Sequence, residues 1–154
     1  LSRRSGSAHV QKTENRRVPG PRMGNNTSSE FITVDYPEGG RYEGAMEDGQ
    51  WHGKGKMEYA DATWNSGNNR MKAGVYEGDF ERDKRHGKGA FTFANGDEYV
   101  GDWVDGLPEG EGVMRYQNGD TYKGDWKAGL FHGGKGTYEY VDGHRYEGEW
   151  SERE

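Results

Sequence analysis

One block of residues recurs through most of the chain, and a fixed-period repeat constrains a fold more tightly than any other sequence feature. The clearest copy is Tyr99-Val-Gly-Asp-Trp103, then Gly110-Glu-Gly112, the run 113–116, and Asn118-Gly119-Asp120. Tyr76-Glu-Gly-Asp-Phe80 leads in the same way to His86-Gly-Lys-Gly89, Phe91-Thr-Phe93 and Asn95-Gly-Asp97. Tyr122-Lys-Gly-Asp-Trp126 leads to His132-Gly-Gly-Lys-Gly136, Tyr138-Glu-Tyr140 and Asp142-Gly-His144. Tyr42-Glu-Gly-Ala-Met46 leads to His52-Gly-Lys-Gly55 and Met57-Glu-Tyr59, and Tyr146-Glu-Gly-Glu-Trp150 opens a further copy. The repeats start at Tyr42, Tyr76, Tyr99, Tyr122 and Tyr146, with spacings of 34, 23, 23 and 24 residues.

Each copy reads as two strands. Residues two apart on a strand share a face. In Tyr-x-Gly-x-Trp the rings and the glycine therefore lie together, with the acids on the other side. In the second strand Phe91 and Phe93 share a face, as do Met57/Tyr59, Met114/Tyr116 and Tyr138/Tyr140. Asn95-Gly96, Asn118-Gly119 and Asp142-Gly143 are strong hairpin signals, and the other turns contain Gly49, Gly106 and Gly129. The glycine two after each tyrosine leaves room for a neighbouring ring. The Gly-x-Gly lets the strand kink so that successive hairpins curl. No stretch shows a helical period, and the density of glycine opposes one.

The remaining pieces fit around this frame. Phe31-Ile-Thr-Val-Asp-Tyr36 alternates as a strand does, and Val34 and Tyr36 fall where Phe91 and Phe93 fall in their unit. The array thus begins on a half-repeat, 31–41, followed by units 42–75, 76–98, 99–121 and 122–145 and a partial unit 146–154. The first unit holds eleven extra residues between Asp61 and Tyr76, read as an extended hairpin with Ser66-Gly-Asn-Asn69 at its tip. The last full unit holds one extra residue at Gly133-Gly134. Residues 1–30 lack apolar periodicity and read as a disordered tail.

Composition decides between disorder and an array. Only 29% of residues are hydrophobic, which alone suggests disorder, but 13% are aromatic, so the apolar surface is concentrated in rings. Stacked hairpins bury such a stripe neighbour by neighbour. With no cysteine, disulfides and cysteine-based zinc sites are excluded. No run is long and apolar enough for a transmembrane helix, and no signal-peptide core is visible. The net charge is −6; residues 1–30 carry +4, so the array carries −10. Such a body repels nucleic acid and anionic membranes alike.

These residues resemble the MORN family (membrane occupation and recognition nexus), whose core is Tyr-Glu-Gly-x-Trp, a turn, His-Gly-x-Gly and an Asp/Asn-Gly. The resemblance covers residues 31–150. Departures are Met46 for the Trp/Phe, Val100 and Lys123 for the Glu, Leu107-Pro108-Glu109 at the His, and the insert after Asp61. The resemblance implies an all-β fold, an elongated single-layer twisted antiparallel sheet of hairpins. It does not imply one activity. Similar repeats occur in junctophilins bridging two membranes, in radial-spoke heads, in parasite cytoskeletal scaffolds, beside plant phosphatidylinositol-phosphate kinase domains, and before a SET methyltransferase domain.

No catalytic constellation is present. His52, His86 and His132 share one repeat position, but equivalent residues two strands on are ~9–10 Å apart, too far to share a zinc ion with ligands at ~2 Å. Each instead belongs to its own hairpin loop. The Gly-x-Gly pieces sit in hairpins, not between a strand and a helix, so they cradle no phosphate. No cofactor and no metal is implied. The periodic acids read as a solvated face with Lys54, Lys56, Lys88 and Lys135 as cross-strand partners.

The function expected is a non-enzymatic scaffold or adaptor, cytoplasmic and associated with cytoskeleton, cilium or a membrane junction. Tyr76, Phe80, Tyr99, Trp103, Tyr122, Trp126, Tyr146 and Trp150 are first of all packing residues, and their exposed fraction would form an aromatic groove for a protein segment. Asp79, Asp102 and Asp125 would give that groove an acidic rim. The alternatives are a phospholipid-binding module and a regulatory region of a larger enzyme such as a phosphatidylinositol-phosphate kinase. Met23-Gly24-Asn25-Asn26-Thr27-Ser28 fits the N-myristoylation pattern at Gly24 if translation starts at Met23. An open sheet edge offers a route to a homodimer.

Overall fold

A computed structural model describes residues 30–37, 39–60, 65–66, 69–70, 73–132 and 134–150. The expectations for the tail and for Gly24 lie outside these residues. In chain order the strands are β1 (Glu30–Asp35), β2 (Arg41–Glu47), β3 (Gln50–Tyr59), β4 (Asn65–Ser66), β5 (Asn69–Arg70), β6 (Gly74–Glu81), β7 (Lys84–Phe93), β8 (Glu98–Val104), β9 (Leu107–Arg115), β10 (Thr121–Lys127), β11 (Leu130–Phe131), β12 (Lys135–Glu139) and β13 (Arg145–Glu149). Among the described residues there is no helix. One open antiparallel sheet runs β1-β2-β3-β6-β7-β8-β9-β10-β12-β13, with β11 also on β10, and β4 pairs only with β5. The insert is thus a separate hairpin, with Ser66 opposite Asn69. The extra residue in the last full unit divides its second strand into β11 and β12.

Register is set by one row of glycines. Gly44, Gly55, Gly78, Gly89, Gly101, Gly112 and Gly124 follow each other across β2, β3, β6, β7, β8, β9 and β10. The reason is steric. A Cβ on Gly55 would lie 2.7 Å from the Tyr42 hydroxyl, and one on Gly112 would lie 2.5 Å from Cε2 of Tyr99. Each tyrosine lies flat across two glycines, and its hydroxyl reaches the backbone beyond. Tyr42 donates to the Ala45 carbonyl at 2.6 Å, Tyr76 to Asp79 at 2.8 Å and Tyr99 to Asp102 at 3.0 Å. Burial of a phenol is thereby made compatible with its polar end.

The two kinds of turn divide differently from the sequence expectation. The tight two-residue turns are Asp48-Gly49, Arg82-Asp83, Asp105-Gly106 and Ala128-Gly129, with positive φ at both residues of each. That geometry matches the right-handed strand twist. One of them uses no glycine, so Arg82 and Asp83 hold the left-handed region at φ 49° and 65°. The Asn-Gly pairs also join antiparallel neighbours, β7 to β8 and β9 to β10, but through wider loops, with Phe93 N–H donating to the Asp97 carbonyl at 2.8 Å and Tyr116 N–H to the Asp120 carbonyl at 2.9 Å. Their loops are closed by Gly96 N–H donating to the Phe93 carbonyl and Gly119 N–H to the Tyr116 carbonyl, both at 2.9 Å. The side chain acts as an Asx turn, with Asn95 Oδ1 accepting from Asp97 N–H and Asn118 Oδ1 from Asp120 N–H.

Candidate functional site

A single-layer sheet has two faces to offer. On the ring face, Tyr42, Tyr76, Tyr99 and Tyr122 are fully buried, along with Met57 and Phe91. They cover one another edge to face. Tyr76 meets Phe80 at 4.9 Å and Trp103 at 5.2 Å, and Tyr99 meets Trp103 at 5.1 Å and Trp126 at 5.0 Å. Such pairs contribute ~0.5–1.5 kcal/mol each beyond the burial of area. Of the eight rings expected to line a groove, Tyr76, Phe80, Tyr99, Trp103, Tyr122 and Trp126 are at most 5% exposed. Trp150 is partly buried against this cluster. Tyr146 alone is well exposed, at 49%. The rings are therefore the core of the sheet, and the surface they offer a partner is small.

Burial also sets their acid–base behaviour. It pushes the hydroxyl of Tyr59 up to about 12 and those of Tyr42, Tyr76 and Tyr99 higher still. Among the described residues, the buried row holds one cation. Arg85 lies over Trp103 at 4.6 Å and Phe91 at 5.1 Å, with Tyr59 and Tyr76 also within 6 Å. Its Nη2 donates to the Gly106 carbonyl at 2.7 Å. Burial lowers its pKa, yet an arginine stays protonated. Trp51 and Phe131 fill the same place in their units, so the guanidinium plane substitutes for a ring.

The opposite face carries the open surface. A depression of about 700 Å³ is lined by residues of β7 to β13, including Lys88, Val100, Glu111, Val113, Lys123 and Asp125. A second, of about 560 Å³, adjoins it through Lys88 and Val100 and extends to Phe31, Glu43, Lys56 and Glu77. Together they form a groove crossing the strands. Its floor is one cross-strand row: Glu43, Lys56, Glu77, Ala90, Val100, Val113, Lys123, Thr137 and Glu147. Nine strands at ~4.8 Å spacing make this row ~38 Å long. The middle three residues are apolar, and Val100 stands 39% exposed.

Family comparison agrees with this architecture. Residues 42–64, 76–98, 99–121 and 122–145 each match the family model of the MORN repeat. The chain belongs to the MORN-repeat family. No curated protein matches it. Within the MORN array, Asp79 pairs at 2.7 Å with Lys54, and Asp102 pairs with Lys88, the two lysines lining the groove. Asp79 also accepts from Lys88 N–H at 3.2 Å, so it fixes the kinked Gly-x-Gly of its own hairpin. Asp125 lines the groove itself. The residues lining the two depressions include six cations and five carboxylates, so the groove is balanced in charge rather than acid-rimmed.

The histidines stay within their hairpins. His52 Nε2 is 3.2 Å from Glu47 and His86 Nε2 is 3.4 Å from Glu81. Where Glu109 stands in their row, it accepts from Ala128 N–H at 2.9 Å. Among the described residues, no group of three or more His, Asp or Glu is gathered as for a metal ion. The floor row of Val100 and Val113 is not among the residues expected from the sequence. The signal was there: Val100 replaces the family's glutamate in the unit where Val113 lies opposite it.

Proposed function

We propose that this MORN array is a non-enzymatic scaffold that holds an elongated segment of a protein partner in the groove across its polar face. The observation that carries this reading is the exposed Val100 with the half-buried Val113 opposite it, between banks of both charge signs, on a sheet whose rings are spent on its own core. The partner fitting it is long and narrow. It carries a short apolar stretch, ~10 Å across three strands, flanked by residues of mixed charge. The aromatic groove with an acidic rim is replaced by this one because burial removes the rings from contact.

The test places a photo-crosslinking residue at Lys123, opposite Val113 in the floor row, and in a second protein at Val141, which is 71% exposed on a turn. A discrete adduct should form from position 123 and not from 141. Val100→Glu with Val113→Glu should abolish the adduct while the sheet stays folded, at a cost of about 1–2 kcal/mol because the two like charges stand directly opposite each other. Equal adducts from both positions, or an adduct that survives the two glutamates, would exclude the groove. Membrane binding has the charge against it: anionic vesicles should leave residues 31–154 in the supernatant.

A further inference from the structure

Three loops along one edge of the array share a layout but not a composition. Asn95-Gly96-Asp97, Asn118-Gly119-Asp120 and Asp142-Gly143-His144 each close an Asx turn, the first side chain accepting from the N–H two residues on. In the first two loops the asparagine amide also donates to the carboxylate, Asn95 Nδ2 to Asp97 and Asn118 Nδ2 to Asp120, both at 2.9 Å. In the third a carboxylate replaces the amide and an imidazole replaces the carboxylate, with Asp142 Oδ2 at 2.8 Å from His144 Nδ1. Among these three loops no acid stands beside an acid. The same carboxylates tie neighbouring units together. Asp97 Oδ1 accepts from Gln117 N–H and Asp120 Oδ1 from Val141 N–H, both at 2.9 Å, so each loop is joined to the loop of the next unit. Asp120 Oδ2 also accepts from the Tyr138 hydroxyl at 2.9 Å. These donors, the Val141 N–H first, hold the Asp120 carboxyl below its usual range and therefore ionised.

Asn-Gly is also the dipeptide in which an asparagine loses its amide most readily, because glycine sets no side chain in the path of its own nitrogen. The chain has two such pairs, and both stand in these joints. Both asparagines are exposed to water. We propose that Asn95 and Asn118 are modification sites, protected while their loops are closed and deamidated when they open, and that the product loosens the joint to the next unit.

The backbone nitrogen of Gly96 or Gly119 bonds to the asparagine Cγ, and its proton leaves with the side-chain nitrogen as ammonia. The cyclic succinimide left behind takes up one water. Opening at Cγ gives aspartate, and opening at the main-chain carbonyl gives isoaspartate; one water is consumed, one ammonia is released, and nothing is oxidised or reduced. In the closed loop both reactants are engaged. Gly96 N–H and Gly119 N–H donate to the Phe93 and Tyr116 carbonyls at 2.9 Å, and each asparagine has both Oδ1 and Nδ2 in hydrogen bonds. Ring closure therefore waits for the loop to open. An aspartate formed there sets a carboxylate against Asp97 or Asp120 where a donor stood, without the imidazole that accompanies Asp142. An isoaspartate lengthens the main chain by one carbon and destroys the Asx turn.

The full chain is held at mildly alkaline pH, either folded or in urea, and peptide mapping by mass spectrometry follows aspartate and isoaspartate at the two positions. Both products should form in urea, and about tenfold more slowly or less in the folded chain, as expected when hydrogen bonds have to open first. In the folded chain Asp97→Ala, which takes the acceptor from Asn95 Nδ2, should speed the reaction at 95 and leave 118 unchanged; Asp120→Ala should do the reverse. The effect on the joint is read by amide hydrogen exchange. Asn118→Asp should speed exchange of the Val141 N–H about tenfold and leave Gln117 as it was, while Asn95→Asp should act on Gln117 and not on Val141. Equal rates in the folded and unfolded chain, an Asp97→Ala protein that deamidates faster at both sites or at neither, or an Asn118→Asp protein with unchanged Val141 exchange would each overturn the proposal.

Discussion

Gly89→Ala is a one-carbon change whose effect can be worked from the structure. The added Cβ would lie 2.5 Å from Cε2 and from Cζ of the Tyr76 ring and against its hydroxyl. The backbone of Gly89 has no positive φ, so the strain is steric and not conformational. Tyr76 has no exposed surface to swing into, being held by Phe80 and Trp103 on its flanks. Overpacking of this kind costs ~1–3 kcal/mol. Displacing the Tyr76 hydroxyl from the Asp79 carbonyl costs a further ~1 kcal/mol. Against this, alanine restricts the unfolded chain and returns ~0.4–1 kcal/mol. The balance is a destabilisation of about 1–3.5 kcal/mol, a sizeable part of the ~5–15 kcal/mol of an ordinary domain. Urea unfolding followed by circular dichroism reads this as a lower midpoint. Because an array can open locally, amide exchange should show the loss first in β6, β7 and β8. Tyr76→Phe combined with Gly89→Ala should cost less than the two changes summed, since the hydroxyl is one of the atoms struck. A Gly89→Ala protein as stable as its parent would refute the claim that the glycine row exists to admit the rings.

Other expectations follow from the same packing. Arg85→Ala should destabilise by ~2–3 kcal/mol through loss of buried stacking, while Arg85→Phe should be milder, since Phe131 occupies that place in another unit. Thermal melts of the two, with Arg85→Lys failing to restore stability because an ammonium cannot stack as a plane, check this. Alkaline pH should unfold the sheet: the tyrosines ionise near 10 when unfolded but resist when folded, with Tyr59 held up to about 12. Their contribution is intact below pH ~10 and drains away as pH rises through the folded values, so phenolate absorbance and loss of strand signal should rise together. A buried row that titrates near pH 10 with the sheet intact would contradict it.

The repeat made the architecture legible. Once Tyr42, Tyr76, Tyr99 and Tyr122 were placed in phase, strand pairing, the ring face and the half-repeat at Val34 and Tyr36 followed from period-two alternation alone. Glycine was informative for the same reason, since a missing side chain recurring two residues after a ring marks where that ring lies. The turns were harder. Asn95-Gly96 does join a hairpin, through a wider loop with an Asx turn, but the tight turn before it falls at Arg82-Asp83, which no local rule picks out. The surface was harder still. Alternation says which residues share a face, but not how closely a sheet curls over its own rings. Trp103 and Trp126 read as groove walls, but neighbouring rings pack edge to face on them and leave them 2% and 5% exposed, so the open surface is the face of Val100. Arg85 gave no warning either, because nothing in a sequence distinguishes a guanidinium that stacks from one that is solvated.

The claim that the rings are core and not contact surface is tested most directly by hydroxyl-radical footprinting of the free protein, read by mass spectrometry. The account predicts that Tyr42, Tyr76, Tyr99 and Tyr122 remain unmodified while Tyr140 and Tyr146, at 47% and 49% exposed, are oxidised. Oxidation of the four row tyrosines at rates like those of Tyr146 would mean that the ring face is an open groove after all.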